Sequence, residues 1–267
     1  MKKNLFYVLL LTSVLSFQVV FLNAVEMAGE VNNAKGTVEI LKTGDTEWEK
    51  ILEGIQIEEN DRIRTGPRSS CEIEMDDGSM IHIAANSQTS LQKLQLKEDE
   101  HTSSFQLFFG KMIASISKLK KTKMEVHTPT TICAVRGTEF AVEASSSETN
   151  IGVFEGSVAV TNPEVAEAEE TVLNPDQETT VEKGINPEAP EKLSAAMIKN
   201  RERMLELRKR VKALRERLRR VPLEKRIKAR QTVKARFDKL RQQRQIQKDR
   251  IHEKRENIRQ QRRAPKK

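Results

Sequence analysis

The sequence predicts a mainly β domain of many short strands, in a sandwich or solenoid-like arrangement, followed by a basic α-helical tail. Two observations lead to this prediction. From about residue 30 to residue 186, apolar and polar residues alternate, which is the period of a strand with one buried face. After Pro190 the apolar residues recur every three or four positions, which is the period of a helix.

The clearest strand pattern lies between residues 71 and 83. Cys71, Ile73 and Met75 alternate with acidic residues, and the stretch 76–79 reads Asp-Asp-Gly-Ser. Asp and Gly tolerate the positive φ angles of tight turns, so this segment predicts a β-hairpin whose return strand begins at Met80. Further short apolar runs, separated by Gly or Ser/Thr clusters, predict additional strands at 105–109, 112–116, 139–143, 151–154, 157–160, 172–173 and 179–181.

The tail contains a heptad seam, that is, a row of residues spaced alternately by four and three positions. Its members are Leu193, Met197, Asn200, Met204, Leu207, Val211, Leu214, Leu218 and Val221. Because proline breaks a helix but suits the first turn of a new one, Pro222 divides the tail into helices over 192–221 and 222–262, after a linker at 187–191. We expect the seam to pack against another helix, in a hairpin or coiled-coil homo-oligomer.

Charge separates the two regions. Residues 1–191 hold 17 Lys and Arg against 31 Asp and Glu, a net charge of −14, whereas residues 192–267 hold 30 against 8, a net charge of +22. The tail therefore suits an anionic polymer, a lipid surface or the acidic half of its own chain. Nucleic acid is disfavoured, because export is predicted and only Phe237 in the tail could stack on a base.

The N-terminus has the pattern of a secretory signal peptide over residues 1–24. Two lysines precede an apolar run from Leu5 to Leu22, and the small residue Ala24 follows it. We expect a cleaved signal and a periplasmic or cell-envelope location, with a retained anchor or an unexported chain as alternatives. After export, Cys71 and Cys133 could form a disulfide or remain as small apolar core residues.

The sequence shows no arrangement of residues that predicts catalysis. The four histidines lack metal-ligand spacing, and no phosphate loop or nucleophile motif is present. We therefore predict a non-enzymatic protein without catalytic, cofactor-binding or metal-binding residues.

A local motif distinguishes the β domain. Residues 128–140 read Thr-Pro-Thr-Thr-Ile-Cys-Ala-Val-Arg-Gly-Thr-Glu-Phe, and residues 154–158 read Phe-Glu-Gly-Ser-Val. Together with Gly36-Thr37-Val38, Trp48, Gly54, residues 61–66, Asp77-Gly78-Ser79 and Phe109-Gly110-Lys111, this motif closely resembles the FecR (ferric-citrate regulator) domain family over about residues 31–181. Asn60 and Asp176 stand where the family usually has turn glycines, and both residue types tolerate left-handed geometry.

The signature residues are interpreted as structural. They are Asp61, Thr65, Gly78, Arg136, Gly137, Thr138, Glu139, Phe140 and Gly156. Gly137 would permit a bend between strands, and Arg136 could form a charge-assisted pair with Glu139. A functional surface built on Arg136 is the alternative.

The resemblance implies the fold and an extracytoplasmic compartment more directly than it implies a role in iron signalling. In iron-signalling members of the family, a cytoplasmic anti-sigma segment precedes a membrane helix, whereas here only residues 1–4 precede the apolar run. The leading hypothesis is a non-catalytic binding and scaffold module in the envelope, whose β domain contacts a protein or a glycan. The alternative is a transmembrane-signalling component that acts through a partner.

Overall fold

The computed structural model describes residues 29–97, 100–118 and 122–263, so the predicted signal peptide lies outside the described residues. Two layers of β-sheet enclose one apolar core, and two helices follow. The strands are β1 (Gly29–Lys35), β2 (Val38–Leu41), β3 (Glu49–Lys50), β4 (Ile55–Ile57), β5 (Arg62–Thr65), β6 (Ser70–Met75), β7 (Met80–Ile83), β8 (Gln88–Lys97), β9 (Glu100–Ser115), β10 (Thr122–His127), β11 (Ile132–Val135), β12 (Glu139–Ala144), β13 (Glu148–Glu155), β14 (Val158–Thr161), β15 (Thr171–Leu173), β16 (Gln177–Glu182) and β17 (Glu191–Lys192). The helices are α1 (Ala195–Arg220) and α2 (Leu223–Arg263). The predicted fold class, mainly β with a helical tail, is confirmed.

The strands form two sheets that share one long strand. Sheet I has the order β4-β1-β6-β7-β9-β12-β13-β16-β17, and sheet II has the order β3-β2-β5-β8-β9-β10-β11-β14-β15. Strand β9 passes between the sheets at Phe109-Gly110, because its first part pairs with β8 and its last part with β7 and β12. Among the described pairings, β9 with β10 is parallel and the others are antiparallel.

The core lies between the inner faces of the two sheets. Alternation of side chains along each strand places residues such as Ile73, Phe105, Phe140 and Val160 inside, where they are fully shielded from water. The predicted hairpin is present, with Cys71 opposite Ile83. Asn60 and Asp176 have φ angles of 67° and 65°, which is the left-handed geometry expected from their replacement of glycine.

Both cysteines are free thiols in this core. Cys71 lies in β6 of sheet I and Cys133 in β11 of sheet II. Burial raises the pKa of each thiol to about 12, so both stay protonated and act as small apolar core residues.

Helix α1 packs on the outer face of sheet I. Its buried seam residues contact the outward-facing Met80, Ile113, Ala141 and Phe154. The expected packing of the seam against another helix is therefore wrong within this chain, because the sheet offers the apolar surface that the seam needs. Ser194 begins the helix by accepting a hydrogen bond from the backbone N–H of Met197, and the break predicted at Pro222 is present.

Helix α2 crosses the edge of the sandwich at β4. Phe237 is buried in the core between the sheets, and Val233 packs against the same cluster. The arginines and lysines of α2 reach the acidic loops around it. The tail is thus an integral layer of the fold, and β17 extends sheet I into the segment predicted as a linker.

Candidate binding surfaces

Two signature motifs form neighbouring corners of the sandwich. The chain passes from sheet II to sheet I at 136–138 and returns at 156–157. Thr138 Oγ1 donates a hydrogen bond to the carbonyl of Ser157 at 2.8 Å. A Cβ atom on Gly156 would lie 2.8 Å from Thr138 Oγ1, and Gly137 has a φ angle of +62°, so glycine suits both positions. The structure thus brings Gly137, Thr138 and Gly156 together.

The earlier signature residues hold other turns. Thr65 Oγ1 donates to the carbonyl of Ala84 at 2.5 Å and accepts from the backbone N–H of Ser87 at 3.0 Å, which joins the turns after β5 and β7. The buried carboxylate of Asp61 accepts from Lys42 Nζ at 2.5 Å and from two backbone N–H groups. Gly78 lies in a different turn, between β6 and β7. Phe140 is buried in the core.

The structure gives Glu139 a partner other than the predicted Arg136. Arg208 of α1 donates to Glu139 Oε2 from Nε at 2.7 Å, and its Nη2 lies 2.6 Å from the same oxygen. This hydrogen bond raises the pKa of the Arg208 guanidinium. Arg136 is exposed at the corner. The predicted pair is wrong because Glu139 faces the layer in which α1 lies.

A polar contact fixes the register of α1 on sheet I. Asn200, the polar member of the seam, is buried and donates from Nδ2 to Glu143 Oε1 at 2.6 Å. It also accepts from Lys111 Nζ at 3.1 Å, and Lys111 lies 2.7 Å from Glu143. A shift of α1 along the sheet would separate the Asn200 amide from the Lys111–Glu143 ion pair. The buried contact therefore disfavours other registers.

The elbow between the helices carries a buried ionic cluster. Arg230 donates to both oxygens of Asp76 at 2.7 Å and, from Nε, to Glu30 at 2.8 Å. Burial alone would lower the pKa of Arg230, but its hydrogen bonds to Asp76 and Glu30 raise it. Arg226 also pairs with Asp76, and Arg217 contacts Glu74 at 2.6 Å.

Further pairs continue along α2. Lys234 donates to Glu58 at 2.9 Å, and Arg244 donates to Glu49 at 3.0 Å. Burial alone would raise the pKa of Glu58, but the hydrogen bonds from Lys234 and Lys42 lower it below its ordinary value. The acidic half of the chain is therefore a partner of its own basic tail.

The outer face of sheet II has a different character. The Arg64 guanidinium lies 4.3 Å from the ring centre of Trp48, and the Arg62 guanidinium lies 5.3 Å from that of Phe108. Arg64 also donates to Glu39 at 2.7 Å. Helix α2 reaches the β3 end of this face, where Trp48 and Glu49 line a groove together with Arg241 and Arg244. The alternation of Arg62 and Arg64 around buried Ile63 is the sequence signal for this surface.

The described residues contain no group of three or more His, Cys, Asp or Glu side chains placed to bind a metal ion. Across the same residues, neither helix is apolar enough over a sufficient length to cross a membrane.

A two-sheet β domain with paired glycine corners therefore carries the signature motif. Residues 61–159 match the family described as FecR protein, so the chain contains a FecR domain and the resemblance seen in the sequence is confirmed. Two crystal structures of a protein described as a "putative anti-sigma factor" from Parabacteroides distasonis are similar, each at 17% identity with a TM-score of 0.43. Each alignment covers 52% of this chain, and the chain spans 62% of the length of that protein. No curated protein matches this chain.

Proposed function

We propose that this protein is a non-catalytic binding module of the bacterial cell envelope, exported by its N-terminal signal peptide. The observation that carries the proposal is the outer face of sheet II around Arg62 and Phe108. That face presents Trp48 and Phe108 beside arginine guanidinium groups and meets α2 at its β3 end, whereas α1 buries the outer face of sheet I. Aromatic and arginine side chains are the types enriched where proteins bind other molecules.

The partner we propose is an envelope protein or a glycan. Either can use this face, since aromatic rings stack on sugar rings or on protein side chains, and arginine donates hydrogen bonds. The exposed basic residues of the tail remain available to an anionic polymer or a lipid surface. A homo-oligomer formed through the seam is not part of the proposal, because the seam is buried on sheet I.

A second candidate function is transmembrane signalling through a partner protein. The FecR domain supports a signalling-related role for this chain. The two candidates share the binding face and differ in what binds there. Partner identity therefore separates them, since a membrane transporter or a membrane-bound regulator would indicate signalling.

Site-specific photo-crosslinking in intact cells tests the proposal. A photoreactive residue at position 106, which lies on the outer face of sheet II between buried Phe105 and Leu107, should capture a partner. The matched control is position 205 on the exposed side of α1, where we expect little capture. The double variant Arg62→Ala, Arg64→Ala should reduce capture at position 106. Equal capture at both positions, or capture unaffected by the variant, would contradict the proposed face.

Fractionation tests the export half of the proposal separately. Sequencing the N-terminus of the mature protein from the envelope fraction should show cleavage after about residue 24. A full-length chain recovered from the cytosol would refute the envelope location.

A further inference from the structure

A cavity of about 380 Å³ lies between α1 and the turns of sheet I. Its volume is within the range of small-molecule sites. Arginine, serine and histidine side chains make up most of the polar part of its lining: Arg68, Ser69, Ser70, His82, Arg203 and Arg210. Glu206 also lines it, but this carboxylate is exposed and accepts a hydrogen bond from Lys209 at 2.9 Å.

The lining contains buried polar atoms without a well-directed hydrogen bond among the described residues. Nδ1 of His82 and Nε of Arg210 are two of them, and Oε1 of the neighbouring Glu72 is a third. Glu72 Oε1 lies 2.6 Å from Arg210 Nη2 and 3.6 Å from His82 Nδ1, so this carboxylate pairs with one nitrogen of Arg210. The Nε donor of Arg210 is left without a hydrogen-bond acceptor among the described residues, which favours a bound acceptor.

Arg68 provides an independent argument. Five non-glycine residues in the described part of the chain have positive φ angles, and four of them are Asn33, Asn60, Asn86 and Asp176, the types that tolerate this geometry. The fifth is Arg68, with a φ angle of 54°. An arginine at a position that suits asparagine costs conformational energy, and strained residues of this kind cluster at functional sites. Arg68 lines the cavity from the β5–β6 turn, and Arg203 and Arg210 line it from α1.

We propose that this cavity binds a small oxyanion that carries at least two carboxylate or phosphate groups. Guanidinium groups bind both chemistries through paired N–H donors, and the two walls supply such groups from separate elements. Arg203 and Arg210 belong to the tail, whereas Arg68, Ser69 and Ser70 belong to the β5–β6 turn and the start of β6. A ligand with two anionic ends would therefore bridge the tail and the β domain.

Calorimetric titration of the intact protein at low salt tests the proposal. The probes are inorganic pyrophosphate and succinate, with chloride at matched ionic strength as the reference. Binding of pyrophosphate alone assigns a phosphate ligand, and binding of succinate alone assigns a carboxylate ligand. No heat or thermal stabilisation beyond that of chloride, with either probe, would overturn the proposal.

Two variants locate the binding. Arg68→Asn removes the guanidinium but places a favourable residue at the left-handed position, so it should fold at least as well as the wild type and weaken probe binding at least tenfold. Arg203→Gln should weaken binding to a similar degree. The control, Lys199→Gln, removes a positive charge from the exposed side of α1 outside the cavity and should change affinity less than twofold. If Arg68→Asn binds like the wild type, or all three variants weaken binding equally, the cavity is not the site.

Discussion

The outer faces of the two sheets differ although both arise from the same alternation of side chains. On sheet I the outward residues include Met80, Ile113 and Phe154, and the tail helix buries them. On sheet II the outward aromatic residues Trp48 and Phe108 lie beside arginine guanidinium groups, and α2 meets this face at Trp48 through polar and charged side chains. An aliphatic face must be removed from water, whereas an aromatic face capped by a cation can remain in it. The tail thus covers the outer face of sheet I with apolar residues and meets sheet II through charged residues.

The largest expected effect comes from removing the apolar contact between the tail and sheet I. Leu207→Ala with Leu214→Ala deletes two buried seam residues, at about 2–5 kcal/mol for each leucine. We expect urea denaturation at a lower concentration and faster proteolysis within α1. The control is Leu205→Ala, since Leu205 is 49% exposed and should change stability little. If the double variant unfolds at the same urea concentration as the control, the seam does not hold the tail on the sheet.

A smaller loss is expected at the corner that joins the two sheets. Gly137→Val places a β-branched residue at a φ angle of +62°, with its Cβ atom 3.1 Å from Lys118 Cγ, and should cost about 1–3 kcal/mol in the free energy of unfolding. Gly137→Asn is the matched variant, because asparagine accepts this φ angle and adds similar bulk at Cβ. Thermal unfolding should rank the wild type above Asn and Asn above Val. A Val variant as stable as the wild type would show that the corner tolerates β-branched residues.

The smallest effect is the loss of ion-pair stabilisation in acid. The pKa of Glu155 is lowered chiefly by its hydrogen bond with Lys118, and that of Glu58 is lowered against burial by Lys234 and Lys42. Because the folded pKa values lie below the ordinary 4.5, these pairs stabilise the protein above about pH 4.5 and lose this contribution as the pH falls through the folded values. Melting temperatures between pH 7 and pH 3 should decline below this point.

Two variants that replace a glutamate by glutamine test whether the ion pairs cause this decline in melting temperature. Glu58→Gln should flatten the pH dependence slightly, because the amide that replaces the carboxylate cannot titrate. Glu202→Gln removes a carboxylate from the exposed side of α1 and should leave the profile unchanged. Identical profiles for the two variants would mean that the ion pairs of Glu58 do not contribute to acid stability.

Local patterns in the sequence predicted the local structure well. The β-hairpin at 71–83 follows from strict alternation around an Asp-Gly turn, and the division at Pro222 follows from the chemistry of proline. The left-handed geometry of Asn60 and Asp176 follows from the residue types that replaced glycine.

Spacing alone could not identify what the seam contacts. A heptad row specifies one apolar stripe, and a sheet face with outward apolar residues buries that stripe as effectively as a second helix. The partner of Glu139 could not be predicted for the same reason: Arg208 reaches Glu139 because α1 lies on sheet I, and the spacing of the seam does not specify that position. The cavity was also beyond sequence reasoning, since Arg68 and Arg203 are far apart in the chain and only the docked tail makes them neighbours.

The contact between Arg230 and Glu30 joins residues 200 positions apart and has a consequence for synthesis. A ribosome makes β1 long before it makes α2. Until then Glu30 and the core edge that Phe237 later covers stay exposed to water. This edge therefore closes only after nearly the whole polypeptide has been made, which leaves an interval in which a chaperone can bind the open edge.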